Sequence, residues 1–162
     1  MLFTYVFLDA SKAFNKVNHW KLFEKLLNRN VPCIIVRLLV VWYTTQLFYV
    51  KWDSTLSEPF AVSNGVRQGG ILSPVLFNVF MDDLSKLLNN VSAGCYINSQ
   101  PCNHLFYADD SVLMAPTPQA LQQLLYTCEQ YALDVELVYN TKKTFCMAIM
   151  PKWLQHIKLS DI

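Results

Sequence analysis

Asn64-Gly65-Val66-Arg67-Gln68-Gly69-Gly70, running on into Ile71-Leu72-Ser73-Pro74, is the stretch on which the reading of this chain turns. Its three glycines permit backbone conformations and close approaches closed to other residues, so another segment is expected to pack against the loop. Ser73-Pro74 has the form of a helix N-cap followed by proline at the first helical position. Leu76, Val79, Phe80, Leu87, Leu88 and Val91 continue at helical intervals, which predicts a helix to about residue 91.

Toward the N-terminus, residues 47–52 and 60–62 read as two strands of a hairpin joined by the polar segment 53–59. A helix from Pro32 to Thr44 precedes them. Before it, Leu22, Phe23, Leu26 and Leu27 mark another helix, ended by Asn28-Arg29-Asn30 and Pro32. Residues 3–8 are aromatic and β-branched, as expected of a strand buried on both faces, and they lead directly to Asp9. So abrupt a start is expected of a chain cut from a larger domain.

Toward the C-terminus come short strand-like runs around Cys95-Tyr96-Ile97, His104-Leu105-Phe106-Tyr107 and residues 111–115, with Asp109-Asp110 at a hairpin tip. Thr117-Pro118 opens a helix with Leu121, Leu124, Leu125, Cys128 and Ala132 on one face. A polar Asn140-Thr141-Lys142-Lys143 turn then leads to a strand over residues 145–150. No repeat, linker or low-complexity tract interrupts this order. The economical reading is one mixed α+β unit, residues 1–162, with a largely antiparallel sheet packed on helices.

With 162 residues, 53% of them hydrophobic and 15% charged, the chain can build one sizeable core, which argues against intrinsic disorder. A net charge of +1 does not by itself point to nucleic acid. The five scattered cysteines, without a C-x-x-C pair, suit a reducing compartment, and nucleus or cytoplasm is the expected location. Cys95, Cys102 and His104 lack zinc-finger spacing. Arg37, Thr44, Thr45 and Gln46 interrupt the apolar run 31–50 well short of a membrane span, so a buried helix running into a strand is expected there, and no membrane.

Chemistry is expected at the carboxylates. Two adjacent aspartates on a tight turn cannot both ionise cheaply in a poorly solvated site unless a cation offsets their repulsion. Mg²⁺ prefers hard oxygen ligands from one or two carboxylates together with substrate phosphates, so Asp9, Asp109 and Asp110 suit a nucleotide-handling site. From the pair alone a solvated turn is the better reading, since turns favour Asp, and Asp82-Asp83, inside a predicted helix, illustrates how little such a pair need mean.

The combination resembles the reverse transcriptases of non-LTR (LINE-type) retrotransposons. Residues 7–14, Phe-Leu-Asp-Ala-Ser-Lys-Ala-Phe, look like the first palm motif, and residues 64–78 like the second. Phe106-Tyr107-Ala108-Asp109-Asp110 looks like the third and Asn140-Thr141-Lys142-Lys143-Thr144 like the fourth, in matching order and spacing. The resemblance implies a right-hand polymerase palm, with fingers and thumb mostly missing. It also implies RNA-directed DNA synthesis, a two-metal nucleotidyl transfer from dNTPs to a primer 3′ end on an RNA template. Two Mg²⁺ ions, or Mn²⁺, would be held by Asp9, Asp109 and, less uniformly, Asp110. Lys143, or its neighbour Lys142, would donate a proton to the leaving pyrophosphate.

Five further positions match residues that line the nucleotide in such enzymes. Phe14 matches the aromatic that blocks a ribose 2′-hydroxyl, and it equally suits a core. Ala13 would offer a backbone contact to the sugar, and Gln68, with Gly69 beside it, would lie against the incoming nucleotide. Arg67 would contact template or phosphate. Two positions depart from the pattern. Asn15 replaces a second aspartate of the first motif, which is not the metal ligand. Glu136 replaces a customary glycine at a helix end, so distortion of the fourth motif is expected. Three function classes follow: a piece of an active polymerase, completed by the fingers and thumb of its parent polyprotein; an inactive remnant; and a structural domain, for which no residue speaks. A group II intron or telomerase-like polymerase is a rival within the first class.

Overall fold

Thr4, Val6 and Leu8 are buried while Tyr5, Phe7 and Asp9 between them are half-exposed, so the first strand, β1 (Phe3–Asp9), turns one face inward and leaves the other open. The computed structural model describes residues 3–98 and 100–149. After β1 come α1 (Ala13–Lys16), α2 (His19–Asn28) and α3 (Cys33–Thr45). Four two-residue strands follow, β2 (Leu47–Phe48), β3 (Lys51–Trp52), β4 (Thr55–Leu56) and β5 (Phe60–Ala61), and then α4 (Ser73–Asn90). The chain continues through β6 (Tyr96–Ile97), β7 (Gln100–Pro101), β8 (His104–Tyr107), β9 (Asp110–Ala115), α5 (Pro118–Val135) and β10 (Phe145–Ile149). Met150, expected to end the last strand, lies outside the described residues.

Contacts divide the chain into two units, one drawn from the residues up to Ser11 and from Asp82 onward, the other from Lys12 to Met81. The first unit is built on an antiparallel sheet in the order β10-β1-β9-β8. Helix α5 contacts β1 and β9 and buries Leu121, Leu124, Cys128, Ala132 and Val135. The sheet's inner face supplies Val6, Leu8, Leu113 and Ala115. The expectation of a strand buried on both faces is therefore corrected: an antiparallel sheet needs cover on one side only.

Thr117 Oγ1 accepts the Ala120 N–H at 3.2 Å and caps α5, as its Thr-Pro start predicts. At the other end Glu136 adopts φ 59° and ψ 30°, the left-handed conformation glycine would take more readily, at a cost of about 1 kcal/mol. Its N–H bonds to the last-turn carbonyls, and Leu137 N–H reaches Ala132 O at 2.9 Å, so the helix closes despite the glutamate.

Asn103 is fully buried and was not singled out by the sequence. Its Nδ2 donates to Leu88 O at 2.8 Å and to Ala93 O at 3.2 Å, satisfying carbonyls where α4 ends. His104 Nδ1 lies 2.7 Å from Asn103 Oδ1, and Nε2 lies 2.7 Å from Ser85 Oγ, an arrangement met by a neutral ring that donates to Asn103 and accepts from Ser85. Burial lowers the His104 pKa.

In the second unit, Asn18 caps α2 by accepting from Trp20 N and Lys21 N, and α2 buries Leu22, Phe23 and Leu26. Helix α3 buries only Val36, Leu39 and Tyr43, leaving Ile34, Ile35, Leu38, Val41 and Trp42 exposed. The expected buried helix thus has a single buried face. The predicted hairpin forms in two tiers, β2 with β5 and β3 with β4, and part of its polar connection, Thr55–Leu56, is itself a strand. The turn is shorter than predicted because Asp53, at φ 52°, reverses the chain directly after Trp52. Among the described residues no helix is long and apolar enough to cross a membrane.

A histidine whose folded pKa is depressed binds fewer protons than its unfolded counterpart, so its contribution to stability is complete above the unfolded value near ~6.5 and is lost as pH falls through it. The urea midpoint of the chain is therefore expected to fall between pH 7.5 and pH 5.5, and His104→Gln is expected to flatten that fall. Parallel slopes for the two proteins would contradict the assignment.

Candidate metal and nucleotide sites

Asp9 ends β1, and antiparallel pairing sets it opposite Asp110, the first residue of β9. Asp110 in turn faces Tyr107 across the β8–β9 hairpin. The turn itself is only Ala108-Asp109, so the expectation that both aspartates occupy the tip is corrected: Asp110 belongs to the ladder and Asp109 alone stands on the turn, exposed. Ala108 takes φ 54° at the first turn position, where hairpins favour glycine. Strain is thus stored at the tip that carries the carboxylates.

The segment after α5 returns to the same strand end. Ser11 N–H bonds to Val138 O at 2.8 Å, and Asn140 N–H bonds to Asp9 O at 2.8 Å. Asn140 then accepts the Lys143 N–H on its carbonyl at 3.0 Å and the Lys142 N–H on its side chain at 3.1 Å. The turn sets the Lys143 ammonium 3.9 Å from Asp9 Oδ1. Of the two lysines, it is Lys143 that meets a carboxylate here. Asp9, Asp110, Lys143 and Phe145 help to line a cleft of about 490 Å³, with Phe145 stacked on Phe7 at 4.8 Å.

The donors at this edge are hard carboxylate oxygens, the set a divalent ion such as Mg²⁺ prefers, and two of them, Asp9 and Asp110, face each other across adjoining strands. Among the described residues no three Asp, Glu, His or Cys side chains are gathered closely enough to form a metal cluster as they stand. Asp82 and Asp83 are engaged instead by Lys86 at 2.9 and 3.5 Å within α4.

In the other unit the glycine-rich loop is clamped to the residues around α1. Gly65 N–H bonds to Val17 O at 2.7 Å, Val66 N–H bonds to Phe14 O at 2.8 Å, and Asn18 and Asn64 form an antiparallel bridge. Buried His19 donates from Nε2 to Gly65 O at 2.8 Å. Gly65 has φ 97°, and a Cβ there would stand 2.9 Å from Asn15 Cα and 3.0 Å from Asn15 O. The predicted close approach is real, and its partner is the segment following the first motif.

Ala13 is buried, and Phe14 stacks on Phe77 at 4.6 Å with planes 10° apart, so Phe14 is tied into packing as well as standing near the loop. Gln68 and Gly69 are exposed, and the Arg67 guanidinium sits 5.3 Å from the centre of the Phe48 ring. Asn15, Gln46, Phe48, Asn64, Arg67 and Gln68 help to line a second cavity of about 490 Å³. His19 and Phe48 were missed from the sequence. An isolated histidine at the start of a helix and a phenylalanine in a short strand carry no spacing signal.

The profile of the family described as reverse transcriptase (RNA-dependent DNA polymerase) matches residues 3–157, nearly the whole chain. The chain belongs to the reverse transcriptase family. This reverse transcriptase domain is 34% identical over 142 residues to the Pol polyprotein of the type-2 retrotransposable element R2DM of Drosophila melanogaster, covering 88% of the chain and 13% of that protein. It is 32% identical over 148 residues to the Pol polyprotein of element R2 of Nasonia vitripennis, covering 89% and 14% respectively. These relatives relate the domain to the reverse transcriptases of non-LTR retrotransposons, and it spans about a seventh of their length. In fold it is similar to apo telomerase of Candida tropicalis truncated from its C-terminal domain, with a TM-score of 0.71 at 14% identity over 93% of the chain and 31% of that one.

Two of the three loop glycines of this reverse transcriptase domain differ in a testable way. Gly65→Ala meets backbone on top of an unfavourable φ and is expected to destabilise by about 2–4 kcal/mol. Gly69, at φ 80°, has nothing within 4 Å, so Gly69→Ala is expected to cost about 1 kcal/mol. Urea unfolding of the two variants checks the order, and equal losses would contradict the clamp.

Proposed function

We propose that this domain is the palm of an RNA-directed DNA polymerase from a non-LTR retrotransposon, a single partial domain within a longer polyprotein that supplies fingers and thumb. The observation that carries the reading is the pairing of Asp9 with Asp110, next to Asp109 and with Lys143 beside Asp9, at one end of the sheet. The reaction is transfer of a nucleotide from a dNTP to the 3′ end of a DNA primer, directed by an RNA template.

Asp9 and Asp109 would hold the divalent ions, Mg²⁺ or Mn²⁺, with Asp110 contributing less. Such ions would supply charge neutralisation on the triphosphate and activation of the primer hydroxyl. Lys143 stands ready to protonate the departing pyrophosphate, and in the free protein its ammonium offsets the Asp9 charge. Phe14, fixed against Phe77, limits the space available to a ribose 2′-hydroxyl, while Ala13 offers its backbone to the sugar. Gln68 and Gly69 lie against the incoming nucleotide, and Arg67 contacts template or phosphate.

A second reading, a catalytically inactive remnant of such an element, draws on the strained glutamate at position 136, where the family customarily has glycine. Primer extension separates the two. With this domain placed in a full-length parent polyprotein, Mg²⁺-dependent extension of a DNA primer on RNA is expected, and Asp109→Asn is expected to reduce it by roughly a thousandfold or more. The isolated domain is expected to show little or none. Unchanged extension by Asp109→Asn would overturn the metal assignment, and no extension by the full-length protein would favour the remnant.

A further inference from the structure

Pro101 has no N–H, and Tyr96 stands opposite it on the β6–β7 hairpin, so that pair is of the non-hydrogen-bonded kind. One position further from the turn, Cys102 N–H bonds to Cys95 O at 2.7 Å, which makes Cys95 and Cys102 the next opposed pair, of the hydrogen-bonded kind. Residues so opposed stand about 5.5 Å apart at Cα and turn their side chains to the same face of the ladder. A disulfide spans roughly 4.4–6.8 Å between Cα atoms, so the backbone already offers the distance that the bond needs. The two thiols also lie within electrostatic reach of each other, since the Cys95 pKa is raised first by burial and then by Cys102.

Both cysteines are free thiols and half-buried, so a small reagent can reach them. Of the other three, Cys33 and Cys128 lie on helices α3 and α5, and Cys146 faces Val6 across β10 and β1. His104, which would be needed to turn the pair into a metal site, has both ring nitrogens engaged by Asn103 and Ser85. The root of the hairpin is firmly held. Gly94, at φ 108°, packs so closely on Asn103 that a Cβ would collide with that side chain, and Asn103 O accepts the Met114 N–H at 2.8 Å.

We propose that Cys95 and Cys102 form a redox-sensitive dithiol that closes to an intrachain disulfide when it meets a small disulfide of the oxidised-glutathione class. The thiolate of one cysteine attacks the small disulfide and expels one small thiolate. The second cysteine attacks the mixed disulfide so formed and expels the other. The protein gives up two electrons and two protons, the small disulfide leaves as two thiols, and one Cys95–Cys102 bond is gained. In a reducing compartment the pair rests as thiols, and the bond is a transient response to oxidation. It closes at the root of β8, whose far end meets the Asp109 turn, so oxidation stiffens the hairpin through which α4 hands the chain to the carboxylate strands.

Oxidised glutathione added to the dilute, reduced chain, followed by alkylation and peptide mapping by mass, tests this without any activity measurement. A peptide crosslinked between Cys95 and Cys102 is expected, formed roughly tenfold or more faster than any crosslink through Cys33, Cys128 or Cys146, the advantage of a partner already in place. Cys95→Ser and Cys102→Ser should each stop at a lasting glutathione adduct on the remaining cysteine of the pair, because nothing is there to displace it. Closing the 95–102 loop should also raise the urea midpoint of the oxidised chain, and dithiothreitol should reverse the rise. Separate glutathione adducts on Cys95 and Cys102 without a crosslink, or no reaction at either, would overturn the proposal. So would crosslinks spread evenly among the five cysteines, or an unchanged or lowered midpoint after oxidation, which would mean that the native hairpin does not admit the bond.

Discussion

The register between β1 and β9 is the constraint on which the carboxylate edge depends. Side chains alternate along a strand, so a slip of one residue would turn Asp9 toward the α5 side and bring Leu8 out. What prevents the slip is burial: Thr4, Val6 and Leu8 lie under α5 with their partners Ala115, Leu113 and Ser111, and Thr4 Oγ1 is tied to Ala115 O at 2.9 Å. Because β10 pairs with the other edge of β1, the strand is held from both sides. Asp9 is opposite Asp110 because the core allows no other alignment.

Around that register the domain tolerates local strain. Ala108 and Glu136 both hold left-handed or positive-φ conformations that glycine would adopt more readily, one at the tip of the carboxylate hairpin and one where α5 hands the chain to the Lys143 turn. Each costs on the order of 1 kcal/mol, small beside the burial that fixes the sheet. Backbone hydrogen bonds to Asp9 O and from Ser11 N then secure the turn regardless of what residue 136 is. The second unit uses the opposite device, a glycine at 65 whose missing Cβ lets two backbone segments meet.

Much of this was legible in the sequence, for physical reasons that can be named. Helices α4 and α5 declare themselves by Ser-Pro and Thr-Pro starts and by apolar residues at helical spacing, and both form where expected. The glycine-rich loop announces a close approach before its partner is known. Periodicity does not reveal which faces will be covered, so an apolar run such as β1 or α3 predicts burial all round where the structure covers one face. Pairing is nonlocal, so the sequence could not tell that Asp110 joins the ladder while Asp109 stays on the turn. Asn103, His19 and Phe48 act through contacts far along the chain.

If the pairing of Asp9 with Asp110 and the adjacent Asp109 makes a divalent site, the most direct observation is where a paramagnetic ion settles. Mn²⁺ titrated into the ¹⁵N-labelled chain should broaden first the amides of Asp9, Asp109, Asp110 and Lys143. Excess Mg²⁺ should reverse the effect, and Asp9→Asn should weaken it severalfold. Broadening centred instead on Asp82 and Asp83, an acidic pair already engaged by Lys86, or spread evenly over the surface, would contradict the account.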